Sequence, residues 1–198
     1  MIKKAVGLGM AGEYAVAVEL LRNAEPLVDA RREPRLLFAC LFNRSVIDCH
    51  LDRYHHAEAL LPRIEALAHD LRNELDETRV LWLRGRARAG LGHPEEAIAA
   101  LSEVRQVFQL EQIAYDFALV SLELATIHLE HCRTELVKVL AEEMLWIFEG
   151  QKVHQEALAV LALFRHAALE EEAQAEWTRR LVKYLYRAQH NRNLRFEA

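Results

Sequence analysis

The sequence predicts an all-α protein, and more specifically a right-handed α-solenoid of about five antiparallel helical hairpins. Glycine and proline account for only 7 and 4 of the 198 residues, whereas β-sandwiches and barrels need a turn every few residues. Apolar residues recur at the i, i+3, i+4 and i+7 spacing of amphipathic helices. Similar segments also recur every 40 positions along the chain, which indicates a repeat architecture.

Two columns of small residues carry this repeat. On the second helix of each predicted hairpin the column consists of Ala17, Ala57 and Ala97, with Val137 in the fourth copy. Twelve residues earlier, on the first helix, the matching column consists of Ala5, Ser45, Gly85 and Ala125. Small residues on both helices let the two backbones approach closely where they cross. Such a hairpin cannot bury its own apolar face and therefore needs neighbours stacked against it.

The columns and the turn residues between them place the helices. We expect helical pairs over residues 1–30, 34–71, 75–109 and 111–149 and a divergent capping pair over 152–190, all within a single domain, 1–198. Gly12 and Gly92 suit the left-handed conformation that ends the first helix of a hairpin. Pro26 and Pro62 fall inside second helices, which they should kink or shorten.

The turn and second helix of two hairpins resemble tetratricopeptide repeats. The resemblance is carried by Leu-Gly-His-Pro-Glu-Glu-Ala-Ile at residues 91–98 and by Ala-Gly-Glu-Tyr at residues 11–14, followed by Ala17. It extends over about residues 1–150 and implies a solenoid that binds a partner on its concave face. The period of 40 residues is longer than the usual one of about 34 and also suits HEAT-like repeats. Late in the first helix, where the family has an aromatic or large residue, this chain has Asp48, Arg88 and His128.

Three further segments, at residues 42–44, 83–86 and 114–122, resemble the helical sensor halves of bacterial regulators. In those regulators a helix-turn-helix DNA-binding domain precedes the repeats, and we expect no such domain in this chain. The resemblance implies an alternative function, as the effector-sensing or oligomerisation half of a bacterial transcriptional regulator. Its DNA-binding domain would then be absent or supplied in trans.

The predicted function is non-catalytic binding of a protein or peptide on the concave face, which the first helices of a solenoid line. By resemblance to repeats that clamp peptides, Asn43 matches an asparagine that holds the ligand backbone and Arg79 matches a basic position. Leu83 departs at the next basic position, and Arg86, one turn later, offers a fork suited to carboxylates. The candidate partner-binding residues are Phe42, Asn43, Arg79, Trp82, Arg86 and Glu123. The alternative interpretation places Phe42 and Trp82 in the core and the arginines on a solvated face.

Catalytic and cofactor motifs are absent from the sequence. It contains no G-x-S-x-G, no G-x-x-x-x-G-K, no H-E-x-x-H and no glycine-rich dinucleotide loop. We therefore predict that the protein is not an enzyme and carries no cofactor.

Two clusters have metal-ligating residue types. One is His128, His131 and Cys132, spaced to share a helix face, and the other is Cys49, His50, His55 and His56 around a predicted turn. Each needs a fourth ligand and an orienting second shell that the sequence does not show, so we predict no metal site.

Charge and cysteine content bear on partners and compartment. Since 25 basic residues face 30 acidic ones, for a net charge of −5, we do not expect direct binding to nucleic acid. The C-terminal segment is nevertheless basic, and it fits the exposed face of a capping helix better than a nucleic-acid or membrane contact. No apolar run is long enough to span a bilayer. Three cysteines without a C-x-x-C pair predict reduced thiols and a cytoplasmic protein.

A homodimer is a further possibility. Residues 145–148, Leu-Trp-Ile-Phe, are apolar on every side of a helix. Such a segment is either deeply buried or part of a dimer contact.

Overall fold

A computed structural model of the chain describes residues 1–149, 155–189, 191 and 193–196. This described part contains ten α-helices and no strand, which confirms the all-α prediction. The helices are α1 Ile2–Met10, α2 Tyr14–Ala24, α3 Pro34–His50, α4 Tyr54–Leu71, α5 Glu74–Gly90, α6 Pro94–Leu110, α7 Ala114–Glu130, α8 Thr134–Glu149, α9 Gln155–Leu169 and α10 Ala175–Ala188. The predicted pairing of consecutive helices is confirmed for α1 with α2, α3 with α4 and α7 with α8. The predicted capping pair is wrong in its pairing, because α10 packs mainly on α7 and not on α9. Residues 152–154 and 190 of that pair lie outside the described residues.

A residue with left-handed backbone follows most of these helices. The predicted pair, Gly12 and Gly92, have φ angles of 89° and 80°, as expected for glycines that end a helix. Non-glycine residues take the same conformation at Asp52, Arg72, Gln112, Cys132 and Glu171. The conformation therefore occurs after second helices as well as after first helices.

The hydrogen bonds at these turns follow one pattern. After α3, the Asp52 amide donates to the Cys49 carbonyl at 3.2 Å, and the Arg53 amide donates to the Asp48 carbonyl at 2.8 Å. These are the two bonds of a Schellman motif, which satisfies carbonyls left open at a helix end. The same two bonds close α5, α6 and α7. Helices of 17 residues joined by short turns of this kind account for the constant period of the repeat.

The chain divides into two compact units, residues 1–100 and 101–198, and α6 runs through the division. In the first unit each helix packs against the next from α1 to α5, and α3 also packs against both α1 and α5. In the second unit α7 packs against α8 and α8 against α9. The last helix, α10, packs mainly against α7 and only marginally against α9. That the chain forms a single domain stays a prediction.

The small-residue columns lie at buried helix crossings in the first unit. The Ser45 hydroxyl donates to the Ala57 carbonyl at 3.1 Å, so the two columns touch where α3 crosses α4. Ala5 and Ala17 belong to one core cluster with Leu21. Gly85, Ala97 and Ala125 are buried as well. The predicted close approach of paired helices is confirmed for the first two hairpins.

The same tertiary contact occurs at the start of α2 and, one repeat later, at the start of α4. The Tyr14 ring stacks on His50 at the end of α3, with ring centroids 4.8 Å apart and planes 8° apart. The Tyr54 ring packs on Gly90 at the end of α5, where a Cβ atom would overlap the ring. A glycine at this position lets the second tyrosine approach the backbone itself.

Ion pairs also repeat with the helices. Glu25 pairs with Arg44 at 2.6 Å, and one repeat later Glu65 pairs with Arg84, whose Nε lies at 3.1 Å. Glu25 also pairs with Arg63 at 2.6 Å. Two repeats after this second pair, Arg105 pairs with Glu143, so that the charges are reversed. Ion pairs therefore recur at equivalent positions of the repeat, although the acidic and basic residues can exchange places.

The two prolines differ in their effect. Helix α2 ends at Ala24, and residues Glu25–Leu27 form a single 3₁₀ turn around Pro26, so the predicted shortening is confirmed there. Pro62 lies inside α4, which continues to Leu71. Because Pro62 is exposed, water can reach the carbonyl that loses its helical donor, and α4 is not shortened.

We expect Gly90→Ala to lower the free energy of unfolding by about 1–3 kcal/mol, because the added methyl group overlaps the Tyr54 ring. The control is Gly7→Ala on α1, where the added methyl meets open space and should stabilise the helix by up to about 1 kcal/mol. Urea unfolding measures both. In a Tyr54→Ala background the penalty at position 90 should vanish, and its persistence there would contradict this explanation.

We expect Glu25→Gln to cost about 1–3 kcal/mol, because this half-buried carboxylate accepts charged hydrogen bonds from Arg44 and Arg63. Glu19→Gln is the matched control, since Glu19 pairs with Arg22 on the exposed face of α2 and should change stability by less than about 1 kcal/mol. Urea titrations compare the two variants. Equal losses would show that the Glu25 network adds nothing beyond a surface ion pair.

Candidate partner-binding surface

Five of the six predicted partner-binding residues lie on two helices that pack against each other, α3 and α5. Phe42 and Asn43 are half-buried on α3, and Arg79 and Arg86 are half-buried on α5. Trp82 lies in the core with 6% of its surface exposed, which agrees with the alternative interpretation of that residue. The sixth residue, Glu123, is half-buried on α7 in the second unit.

Sequence reasoning missed three residues beside these positions, and an ion pair between two of them ties α3 to α5. The Phe42 ring stacks on Phe38 with centroids 5.6 Å apart, and the Arg35 guanidinium lies 5.3 Å from the Phe38 ring centroid. Arg35 also forms an ion pair with the buried carboxylate of Asp76 in the first turn of α5. Of these residues only Asp76 could have been found from the sequence. It lies one helical turn after Asn73, a residue type that favours the N-cap of a helix.

The Asn43 side chain makes one hydrogen bond within its own helix. Its side-chain amide donates to the Ala39 carbonyl, one turn earlier, at 2.7 Å. An asparagine side chain has two donor hydrogens and one acceptor oxygen, so this local bond occupies one donor. A ligand would meet the rest of the amide group.

Arg86 lies close to the start of α4. Burial raises the pKa of the Tyr54 phenol above its usual range, a hydrogen bond to Asp52 raises it further, and the Arg86 charge opposes both. The Tyr54 hydroxyl donates to the Asp52 carboxylate at 2.7 Å. Arg86 therefore adds positive charge beside the turn that joins α3 to α4.

In the second unit, helix α10 lies along α7. Arg179, near the start of α10, pairs with Glu130 at the end of α7, and the Gln189 amide donates to Asp116 near the start of α7 at 3.2 Å. The two helices are therefore antiparallel over most of their length. Between these ends the apolar side of α10, which includes Leu181 and Leu185, is fully buried.

Helices α3 and α7 carry equivalent strips, two repeats apart, which differ in burial. The α3 strip is Leu36, Ala39, Phe42 and Asn43, and the α7 strip is Asp116, Leu119, Leu122 and Glu123. On α7 all but Glu123 are buried. On α3 all four retain exposure, and Leu36 is 38% exposed. Equivalent surfaces are thus covered in one unit and partly open in the other.

One carboxylate is buried where the tetratricopeptide pattern has a large residue. Asp48 is fully buried near the end of α3, and neither of its oxygens has a hydrogen-bond partner among the described residues. Burial raises the pKa of this carboxyl above its usual range, although nearby positive charge opposes the effect. The opposing groups are Arg22, Arg44, His56 and Arg53.

The two candidate metal clusters are split between core and surface. His128 is buried while His131 and Cys132 are exposed, and Cys49 and His50 are buried while His55 and His56 are exposed. Among the described residues, no three histidine, cysteine or acidic side chains are arranged to hold a metal ion.

The basic C-terminal segment forms part of α10. Arg179 pairs with Glu130 and with Glu176, the latter at 3.0 Å, while Arg180 and Lys183 are exposed. This placement agrees with the prediction of an exposed helix face. Arg192 and Glu197 lie outside the described residues.

The predicted dimer segment is described only in part. Leu145 is half-buried, and the side chains of residues 146–148 lie outside the described residues. Within the described part of the chain, no helix is both long enough and apolar enough to cross a bilayer.

In comparisons with known proteins, no family model, no curated protein and no solved structure matches this chain.

We expect Asp48→Asn to raise the free energy of unfolding at pH 7 by about 1 kcal/mol, because it removes a buried charge without hydrogen-bond partners. The folded-state pKa of Asp48 is raised, so its carboxylate destabilises the fold above that pKa. The penalty shrinks as the pH falls below the raised value, and it is gone below the ordinary pKa of an aspartate, where the folded and unfolded chains are both protonated.

Urea unfolding over a descending pH series tests this expectation, with Asp70→Asn as the control that removes the same charge at an exposed position. The stability gain from Asp48→Asn should shrink toward acidic pH. A gain that is the same at every pH, or equal to that of the control, would contradict the assigned cause.

Proposed function

We propose that this protein is a non-catalytic scaffold that binds a protein or peptide partner on α3 and α5 of its first unit. One observation carries the proposal. Three of the four residues of the α7 strip are buried, whereas all four residues of the equivalent strip on α3 retain exposure. A strip that the fold buries in one unit and leaves partly open in the other can bind a ligand where it is open.

The chemistry of this surface favours a ligand with both apolar and acidic side chains. The α3 strip supplies apolar area through Leu36, Ala39 and Phe42. On the neighbouring helix, Arg79 and Arg86 supply guanidinium groups, which bind carboxylates through paired hydrogen bonds. The Arg35–Asp76 ion pair holds the two helices together and the Phe42 ring stacks on Phe38 within α3, so the surface is organised before any partner arrives.

The wider proposal is a right-handed α-solenoid of the tetratricopeptide kind that acts in the cytoplasm. Support comes from the Schellman turns, from the tyrosine contacts that recur after one repeat and from the ion pairs that recur after one and two repeats. Contact of α3 with both α1 and α5 is the neighbour pattern that stacked hairpins need.

The proposal is tested by panning a phage-displayed random-peptide library against the full chain. We expect enrichment of peptides that combine apolar and acidic residues. Against the Arg79→Ala/Arg86→Ala variant their affinity should fall at least about tenfold, the equivalent of losing one charged hydrogen bond. Its free energy of unfolding should change by less than about 1 kcal/mol.

The matched control is Arg31→Ala/Arg32→Ala, which removes two exposed arginines from the segment before α3 and should leave peptide affinity unchanged. Failure to enrich any peptide would contradict the proposed function. So would enriched peptides that bind the Arg79→Ala/Arg86→Ala variant as tightly as the natural protein. Parallel losses of stability and affinity would make these arginines structural instead.

A further inference from the structure

The segment that follows α10 packs back on that helix through one aromatic side chain. The Phe196 ring lies at a steep angle to the rings of Tyr184 and Trp177, with ring centroids 5.2 Å and 6.1 Å away. The Tyr184 hydroxyl also donates to the Leu194 carbonyl at 3.4 Å. We propose that Trp177 and Tyr184 form a binding site for an extended peptide of a partner protein, and that residues 194–196 are an occupant which the chain itself supplies.

This aromatic site, Trp177 and Tyr184, is held in place by the helices beneath it. The two residues stand seven positions apart on α10, which places them on the same side of the helix. The Trp177 ring stacks on Phe164 of α9, a fully buried side chain, with ring centroids 6.1 Å apart. Because α9 and α10 fix both rings, the site is organised whether or not a peptide lies on it.

The segment on the aromatic site has the pattern of an extended peptide. Leu194 and Phe196 are half-buried, whereas Asn193 and Arg195 are exposed. Such alternation is typical of an extended chain, whose successive side chains point to opposite sides. The segment therefore buries an aliphatic and an aromatic side chain that are two positions apart, and it leaves the residue between them exposed.

The same pattern defines the chemistry of the partner. Aromatic rings favour edge-to-face contacts with one another, so the partner should offer an aromatic side chain to Trp177 and Tyr184. The Tyr184 hydroxyl finds an acceptor in a backbone carbonyl two residues earlier. An α-helix fits less well, because most of its carbonyls are bonded internally and residues two positions apart do not share a face. The expected ligand is an extended peptide with the pattern aliphatic-x-aromatic.

The chain's own segment acts as an internal competitor for this site. Residues 194–196 lie outside any helix, and their two inward side chains are only half-buried, so the segment opens more readily than the helices beneath it. While it is closed it excludes a partner, and as a tethered ligand it has a high local concentration. The apparent affinity for a partner is then reduced by the fraction of molecules in which the site is open.

The test uses a fluorescent peptide of residues 191–198 and the full chain with Phe196→Ala, which removes the competing ring. We expect the peptide to bind this variant at least about tenfold more tightly than the natural protein, since the tethered segment no longer occupies the site. Fluorescence anisotropy measures both affinities. A peptide that carries Leu194→Ala and Phe196→Ala should bind neither protein.

A change in the site itself should weaken this binding. In the Phe196→Ala background, Trp177→Leu should lower the affinity at least about tenfold, because an aromatic contact is lost. Tyr184→Phe, which keeps the ring and removes the donor, should lower it about threefold. Lys183→Ala is the matched control, since it alters an exposed side chain of the same helix and should leave the affinity unchanged. Urea unfolding verifies that each variant keeps the natural fold.

The partner is tested by panning a phage-displayed random-peptide library against the Phe196→Ala variant. We expect enrichment of aliphatic-x-aromatic peptides that the 191–198 peptide displaces and that bind the natural protein more weakly. Enriched peptides that ignore Trp177→Leu would overturn the assignment to this site.

The remaining outcomes are also decisive. If the 191–198 peptide does not bind the folded Phe196→Ala variant, or binds it no more tightly than the natural protein, residues 194–196 are a fixed part of the fold and the inference is wrong. If analytical ultracentrifugation shows a dimer of the natural protein that Phe196→Ala abolishes, the occupant is a second copy instead of a partner. These results do not bear on the proposed function, because α3 and α5 belong to the first unit and the aromatic site to the second.

Discussion

The close approach of paired helices at buried small residues is the constraint on which the rest of this structure depends. Ser45 and Ala57 are small enough that the serine hydroxyl on α3 reaches the Ala57 carbonyl on α4. Because the helices approach so closely, the larger side chains that flank each crossing fill the spaces between neighbours. Phe108, Phe117 and Phe164 are among the largest of these buried groups.

A second constraint acts along the chain. Short turns with left-handed backbone reverse the direction of the helix after α3, α5, α6 and α7. They satisfy open carbonyls within the turn, so a helix end needs little support from elsewhere. Helices α3 to α8 are accordingly 16 to 18 residues long. Tyr14 and Tyr54, one repeat apart, each contact the end of the next odd-numbered helix.

One helix surface has two outcomes in this fold. On α7 three of its four residues are buried, and on α3 all four equivalent residues are partly exposed. Helix α10 contributes to the burial on α7, since it packs on α7 more than on α9 and its neighbouring Gln189 donates to Asp116. The proposed function follows from this contrast. Asp48 is a separate case. The fold buries its carboxyl group without hydrogen-bond partners, and this burial destabilises the charged form.

By itself the sequence determined the helices, the pairing of α1 with α2, α3 with α4 and α7 with α8, and the glycine turns. Hydrophobic period, small residues and glycine are local signals that do not depend on tertiary context. The left-handed backbone at Asp52 and Cys132 had no such signal, since neither residue type demands it. Only tertiary structure decided that Trp82 is buried, that Arg35 reaches Asp76 across two helices and that α10 lies on α7. Those outcomes depend on contacts between residues that are far apart in the sequence, and a local sequence pattern does not determine which of these contacts form.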